Sequence, residues 1–209
     1  MTIDELPGAI FQALREMDRE ADTVRDGFPT GLNWYGGHVR PDQKRPRTEP
    51  AWSRALCERL DRSDLSAINE HKYPGDSRKR CDCVVSGDDW LFWLEIKGAW
   101  KEYWRTRSEW IYRSYLLHPL APDLDKSRTH TAALDLRRIE TLSRDNATHV
   151  GLLIVGFDSH AAPMDDDIEE FATLAEINDQ PWLLRHDAWS DEHRQGERIR
   201  LWLWMRKVA

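Results

Sequence analysis

The sequence has few cysteines, no long apolar run and no secretory leader pattern. Only Cys57, Cys81 and Cys83 occur among 209 residues, which indicates a reducing, cytoplasmic environment. The first twenty residues lack the basic start and apolar middle of a signal peptide, in agreement with that expectation. No run of about 18 apolar residues is present, so we expect no membrane-spanning segment.

Several common motifs are also missing. The sequence contains neither a Walker-A loop nor GxGxxG, so nucleotide hydrolysis has no support. The eight histidines show no HExxH spacing. Cys81 and Cys83 form a C-x-C pair without a second Cys/His pair, so we expect packing residues on the face opposite Asp82 rather than a zinc site.

Charge is unevenly distributed along the chain. The net charge of −7 argues against tight binding to nucleic acid. Residues 38–62 and 97–113 nevertheless each carry an excess of three positive charges, whereas residues 158–192 contain eleven acids and a single arginine. The pattern predicts one basic and one acidic side.

Length and composition favour a single folded domain over residues 1–209. Hydrophobic residues make up 40% of the chain and charged residues 32%, which permits a packed core. The eleven tryptophans either fill that core or stack on a partner.

The apolar patterns predict both helices and strands. Helices are expected at 4–22, 50–60, 129–144 and 166–178, and residues 100–117 form a further aromatic and basic helical region. Residues 23–48 and 118–126 are typical of loops. Strands are expected at 66–74, 80–86, 90–99, 148–158 and 198–208. The fold class is therefore α/β or α+β, with a central mixed sheet between helices.

The segment WLFWLEIKG places two charges on a strand that is otherwise apolar. Because side chains alternate along a strand, Glu95 and Lys97 share one face. Asp82 stands within another apolar strand, and the Gly-Asp-Asp turn at 87–89 predicts a hairpin that brings it near Glu95. Buried charges are costly unless they are paired or bound to metal. A strand-surface ion pair, and a structural carboxylate at Asp82, are the alternatives.

Asp82 followed by Glu95-Ile96-Lys97 resembles the motif of the PD-(D/E)xK nuclease superfamily, which has a restriction-endonuclease-like αβββαβ core. The resemblance covers residues 48–158, with 1–47 as an N-terminal helix and loop and 159–209 as a C-terminal helix and strand extension. It implies that Asp82, Glu95 and the Ile96 carbonyl hold Mg²⁺ or Mn²⁺ and that Lys97 acts on the attacking water. Cys81 replaces the proline of the motif.

The family commonly adds a glutamate from its first helix. Glu49 lies on the same helical face as Trp52, Leu56 and Leu60 and is the preferred candidate, although an acid at a helix start also interacts well with the helix dipole. Glu58 should face solvent. Glu70, on the first strand, is the second choice.

Basic residues near the motif are candidate contacts to nucleic acid. Arg78, Lys79 and Arg80 precede the Asp82 strand. The segment 101–115 interleaves aromatic and basic side chains, as single-strand binding surfaces do, and equally fits an amphipathic helix that packs inward. Asp135 is expected on a helix surface. The basic candidates in the second segment are Lys101, Arg105 and Arg107.

The sequence thus favours a metal-dependent nuclease that acts on DNA, with RNA as the alternative substrate. The resemblance suggests a role in restriction, repair or antiviral defence. The alternatives are a non-catalytic module that binds nucleic acid or protein, and a nuclease subunit that needs a protein partner or a second copy of the chain.

Overall fold

Helices and strands follow one another along the chain largely as the apolar patterns predict. The computed structural model describes residues 1–20, 49–100, 131–160, 163–177, 181–190 and 197–209. Within these ranges the elements are α1 (Leu6–Glu20), α2 (Glu49–Leu60), β1 (Ser66–Tyr73), β2 (Asp76–Ser86), β3 (Leu91–Trp100), α3 (Ala132–Glu140), β4 (His149–Ser159), α4 (Asp165–Leu174), β5 (Leu183–Ser190) and β6 (Glu197–Lys207).

These elements confirm a mixed α+β class with both parallel and antiparallel strand pairs. The chain divides into two compact units, Met1–Leu91 and Phe92–Ala209. The single-domain organisation and the restriction-endonuclease-like core over 48–158 remain predictions. The regions expected at 23–48 and 118–126 lie outside the described residues, and so does the helical region at 100–117 beyond Trp100.

The described part of the first unit contains two helices and a strand hairpin. The apolar face of α1 is buried as its periodicity predicts, since Leu6, Ile10, Leu14 and Met17 are at most 1% exposed. α1 packs against α2, and α2 packs against β1 and β2. The amphipathic pattern of α1 therefore identifies a helix that is stabilised by burial of one face.

β1 and β2 form an antiparallel hairpin that is longer than the sequence suggests. Gly75 adopts a φ of +77° in the turn, a conformation that glycine allows without steric cost. The chain reverses there, and β2 begins at Asp76 rather than at residue 80. The strand therefore includes Arg78, Lys79 and Arg80, which were expected to precede it. The tight turn at Gly75 allows strand pairing to begin among these charged residues, where the sequence has no apolar pattern.

The second unit contains a four-stranded mixed array in the order β3-β4-β6-β5. β3 and β4 are parallel, with Phe92 opposite His149, while β4 and β6 are antiparallel. β4 has a neighbour on both sides, which explains its continuous apolar run from Leu152 to Val155, all fully buried. The predicted central strand at 148–158 is confirmed.

Glycines on β4 make room for large aromatic side chains. A Cβ at Gly151 would collide with the ring of Phe92, and one at Gly156 would collide with the ring of Trp202. Trp202 and Trp204 are at most 4% exposed. Trp93 on β3 and Trp202 and Trp204 on β6 therefore fill the core.

β5 was not predicted from the sequence. It pairs antiparallel with β6, and most of its side chains are exposed, Leu183 and Leu184 at 44% each. A strand with exposed side chains on both faces gives no alternation of apolar and polar residues, so the period-two signal is absent. None of the described helices has the length and apolarity needed to cross a bilayer.

Candidate active site

β3 carries the acid and the amine at the centre of the predicted motif. Glu95 is 2% exposed and Lys97 is 6% exposed. Phe92, Leu94 and Ile96 alternate with them and are also buried. The expectation that Glu95 and Lys97 lie within an apolar strand is confirmed, and both charges require partners because an unpaired buried charge is strongly unfavourable.

α3 provides those partners. The helix begins after Thr131, whose hydroxyl accepts a hydrogen bond from the Leu134 amide at 3.3 Å, as an N-cap residue does. Asp135 and Arg138 follow one turn apart, and Arg138 Nη1 donates to Asp135 Oδ1 at 2.9 Å. The Thr131 cap fixes the start of the helix, and the hydrogen bond between Asp135 and Arg138 orients both side chains toward β3.

The four charged groups form one cluster. Lys97 Nζ lies 3.0 Å from Asp135 Oδ2. Arg138 Nη1 lies 3.9 Å from Glu95 Oε1, longer than a hydrogen bond. Two carboxylates and two cations thus balance one another in a poorly hydrated environment, where their attraction is stronger than at a surface.

Asp135 was expected on a helix surface, and that expectation is wrong. The side chain is buried and pairs with Lys97. The sequence contains a signal for this position, because Ala132, Asp135, Leu136 and Ile139 follow the i, i+3, i+4, i+7 spacing of a buried helical face. A carboxylate within such a stripe needs a cation, and Lys97 is that cation.

Asp82 lies on β2, in the first unit, and is half-buried. Its neighbours Cys81 and Cys83 are fully buried, which confirms them as packing residues. The Asp82 carbonyl accepts a hydrogen bond from Asn69 Nδ2 at 2.9 Å, and Asn69 Nδ2 also donates to Ser53 Oγ at 2.9 Å. These bonds tie β2 to β1 and α2. The proximity of Asp82 to Glu95 remains a prediction.

The three candidates for an additional acid occupy different environments. Glu49 is the first residue of α2, and its side chain lies outside the described part. Glu58 is exposed on α2, as expected. Glu70 is exposed on β1, between Asn69 and His71, and has a φ of +53°. Arg80 Nη1 donates to the Glu70 carbonyl at 3.0 Å, which helps to hold this unusual backbone conformation.

The basic candidates are only partly described. Arg78 and Arg80 are exposed and Lys79 is half-buried, and Arg78 Nε lies 3.8 Å from Asp76 Oδ1. Their contact with nucleic acid remains a prediction. The second group of basic candidates lies outside the described residues: Lys101, Arg105 and Arg107.

A second cluster of charged side chains, centred on the buried Asp158, joins β4, β6 and α4, and the sequence did not reveal it. The Asp158 side chain accepts hydrogen bonds from Arg198, Arg200 and the Met164 amide at 2.9–3.2 Å. Arg200 also donates to Asp165 at 2.6 and 2.7 Å. These bonds lower the pKa of Asp165. Each carboxylate oxygen of Asp158 and Asp165 accepts at least one of these hydrogen bonds. The cluster therefore holds β4, β6 and α4 together.

The metal predicted for the motif can be compared with the donor atoms on each unit. Among the described residues, no group of three or more His, Cys, Asp and Glu side chains is arranged to hold a metal ion. Glu95 offers carboxylate oxygen, the ligand type that Mg²⁺ and Mn²⁺ prefer. Asp82 and the Ile96 carbonyl also offer oxygen, so the donor chemistry of the three predicted ligands fits the ion.

No protein-family model, curated protein or solved structure matches this chain. Any functional assignment therefore depends on the motif and on the geometry of these side chains.

Proposed function

We propose that the chain is a Mg²⁺- or Mn²⁺-dependent nuclease of the PD-(D/E)xK type that hydrolyses phosphodiester bonds in DNA. The observation that carries the proposal is the burial of an acid and an amine, Glu95 and Lys97, two residues apart on an interior strand. Stability alone does not require this arrangement, since apolar residues of similar volume are often at least as stabilising as a buried ion pair. Buried ionisable groups with this free-energy cost are common at functional sites.

Each residue has a defined role in this proposal. Asp82, Glu95 and the Ile96 carbonyl would hold the ion, which polarises the phosphate and activates water when it is bound. Lys97 orients the attacking water and stabilises the negative charge that develops on the phosphate. Asp135 holds the Lys97 ammonium at 3.0 Å, and Arg138 bridges Asp135 and Glu95, so both α3 residues position the reacting groups. Glu49 or Glu70 would complete the acidic set.

Substitution of the two central residues tests the activity. Glu95→Gln and Lys97→Met should each lower cleavage of plasmid or single-stranded DNA by about 10²-fold or more with Mg²⁺ or Mn²⁺ present. Glu169→Gln and Lys72→Met, at exposed positions, are matched controls and should cleave normally. Circular dichroism would verify that all four variants fold. Normal cleavage by both Glu95→Gln and Lys97→Met would contradict the proposal, and RNA assayed in parallel would reveal the preferred substrate.

Metal binding provides an independent test. Calorimetric titration of the wild-type chain with Mn²⁺ should give saturable binding that Asp82→Asn abolishes. Asp88→Asn, an exposed acid in the turn after β2, is the matched control and should bind as the wild type does. Equal Mn²⁺ binding by Asp82→Asn and the wild type would show that Asp82 is not a ligand.

A second candidate function follows from the cluster on β3 and α3, in which the number of acids equals the number of cations. Because Asp135 and Glu95 already face Lys97 and Arg138, the cluster could stabilise a non-catalytic module that binds nucleic acid or protein. Such a module would bind DNA without cleaving it and without saturable Mn²⁺ binding. A nuclease subunit that needs a partner would instead bind Mn²⁺ and cleave only after the partner is added.

A further inference from the structure

Two buried thiols face each other between α2 and β2. Cys57 lies on α2 and is 3% exposed, and Cys83 lies on β2 and is fully buried. Cys57 Sγ donates a hydrogen bond to Cys83 Sγ at a distance of 2.7 Å. α2 and β2 pack directly against each other, so both sulfurs are held by regular secondary structure rather than by loops.

The third cysteine is close but is differently engaged. Cys81 is fully buried on β2, and its Sγ donates weakly to the Cys83 carbonyl at 3.5 Å. Its sulfur is therefore directed to the backbone of Cys83. Cys81 thus supplies a control residue with the same chemistry and the same burial.

We propose that Cys57 and Cys83 are an oxidation site at which the chain forms an intramolecular disulfide between α2 and β2. A disulfide requires an S–S distance of about 2.05 Å, so the two sulfurs need to approach by less than about 1 Å. The bond would join residues 26 positions apart, and it would fix α2 to the strand position next to Asp82.

A hydroperoxide is the oxidant class that this buried site admits, because hydrogen peroxide is little larger than water. The Cys83 thiolate attacks one peroxide oxygen, the O–O bond breaks, and the products are a Cys83 sulfenic acid and, after proton uptake, water. Cys57 sulfur then attacks the Cys83 sulfur and releases the sulfenic hydroxyl, which takes the Cys57 proton and leaves as a second water. Two thiols are oxidised by two electrons, and one peroxide is reduced to two waters.

The environment of Cys83 makes this reaction slow. The hydrogen bond from Cys57 raises the pKa of Cys83 well above its usual range, and burial raises it further. Since the two thiols are at most 3% exposed, peroxide has little access to them, so the pair should stay reduced under mild exposure and should oxidise under sustained exposure.

Mass spectrometry of the full chain tests the proposal. After overnight exposure to hydrogen peroxide, digestion without reductant should give one linked pair of peptides that contain Cys57 and Cys83, with a mass two hydrogen atoms below the sum of the two reduced peptides. Cys81→Ala is the matched control and should form the same bond. Cys57→Ala and Cys83→Ala should each abolish it.

The bond should also change the thermal stability of the wild-type chain. Closing this loop should raise the melting temperature by about 5–10 °C, and added dithiothreitol should reverse the shift. If an alanine variant fails to fold, the peptide map and the reversible shift of the wild type still decide the question. Three free thiols after overnight exposure, a bond that involves Cys81, a link between two chains, or overoxidised Cys83 would each overturn the proposal.

Discussion

Lys97 Nζ on β3 and Asp135 Oδ2 on α3 are 3.0 Å apart, and both side chains are almost fully buried. The pair joins a strand to the helix that follows it in the described sequence. Removal of one partner leaves the other charge buried and uncompensated, which is far more costly than loss of the pair as a unit. This asymmetry makes the interaction measurable.

A double-mutant cycle would quantify the Lys97–Asp135 interaction. Asp135→Asn should lower the free energy of unfolding by about 3 kcal/mol, and Lys97→Met should lower it by a similar amount. The double variant should lose about 1–3 kcal/mol less than the sum of the two single variants. Urea denaturation followed by circular dichroism measures all four free energies.

An exposed ion pair is the control for that cycle. Arg78 Nε lies 3.8 Å from Asp76, and the Arg78 side chain is 90% exposed. Arg78→Ala should therefore change the free energy of unfolding by no more than about 0.5 kcal/mol. Additive effects of Asp135→Asn and Lys97→Met would show that the two buried side chains do not interact in solution.

The contact between Asp165 and Arg200 should make stability depend on acidic pH. Hydrogen bonds from Arg200 lower the pKa of Asp165 in the folded chain, below its unfolded value of about 3.9. A lowered carboxyl pKa contributes stability above the unfolded value, and the contribution is lost as the pH falls through the folded pKa. The urea midpoint of the wild type should therefore fall below pH 4 more steeply than that of Asp165→Asn.

Asp166→Asn is the matched control for this experiment, because Asp166 is also exposed in the first turn of α4. Its profile should follow that of the wild type, since Arg200 keeps its hydrogen bonds to Asp165. Identical acid profiles for the wild type and Asp165→Asn would contradict the contact.

Gly151 should tolerate no larger side chain. A Cβ at this position would overlap the Phe92 ring and closely approach the Trp204 carbonyl. Gly151→Ala should lower the free energy of unfolding by about 1–3 kcal/mol, as overpacking of a rigid core does. Gly8→Ala, on α1 with open space around the new methyl, should be neutral or stabilising because alanine favours helix. Equal stability of Gly151→Ala and the wild type would contradict the described packing of β4.

Periodicity was sufficient to predict the elements that bury one face or lie within the sheet. The four apolar residues of α1, the strand around Glu95 and the apolar run of β4 are all where their patterns predict. Each of these elements buries apolar side chains that recur in the sequence at the spacing typical of a helix or a strand. β5 could not be predicted in this way, because most of its side chains are exposed and its sequence therefore shows no alternation of apolar and polar residues.

Long-range partners could be predicted less well than elements. The sequence identified Glu95 and Lys97 as unusual, but it did not identify Asp135 and Arg138 as their partners. Those contacts depend on the packing of α3, which lies about forty positions further along the chain. The same reason leaves the meeting of Asp82 and Glu95 a prediction, because pairing between distant residues is a tertiary property that local patterns do not encode.

The parallel pairing of β3 with β4 has a consequence for the folding rate. Phe92 pairs with His149, and His149 pairs with Lys207, so each contact closes a loop of more than fifty residues. Closing such a long loop costs chain entropy before the contacts contribute any stabilisation. β1 and β2 are joined by a short turn, so the entropic cost of pairing them is smaller. We therefore expect the β1–β2 hairpin to gain amide protection in pulse-labelling hydrogen exchange well before β4 and its neighbours do.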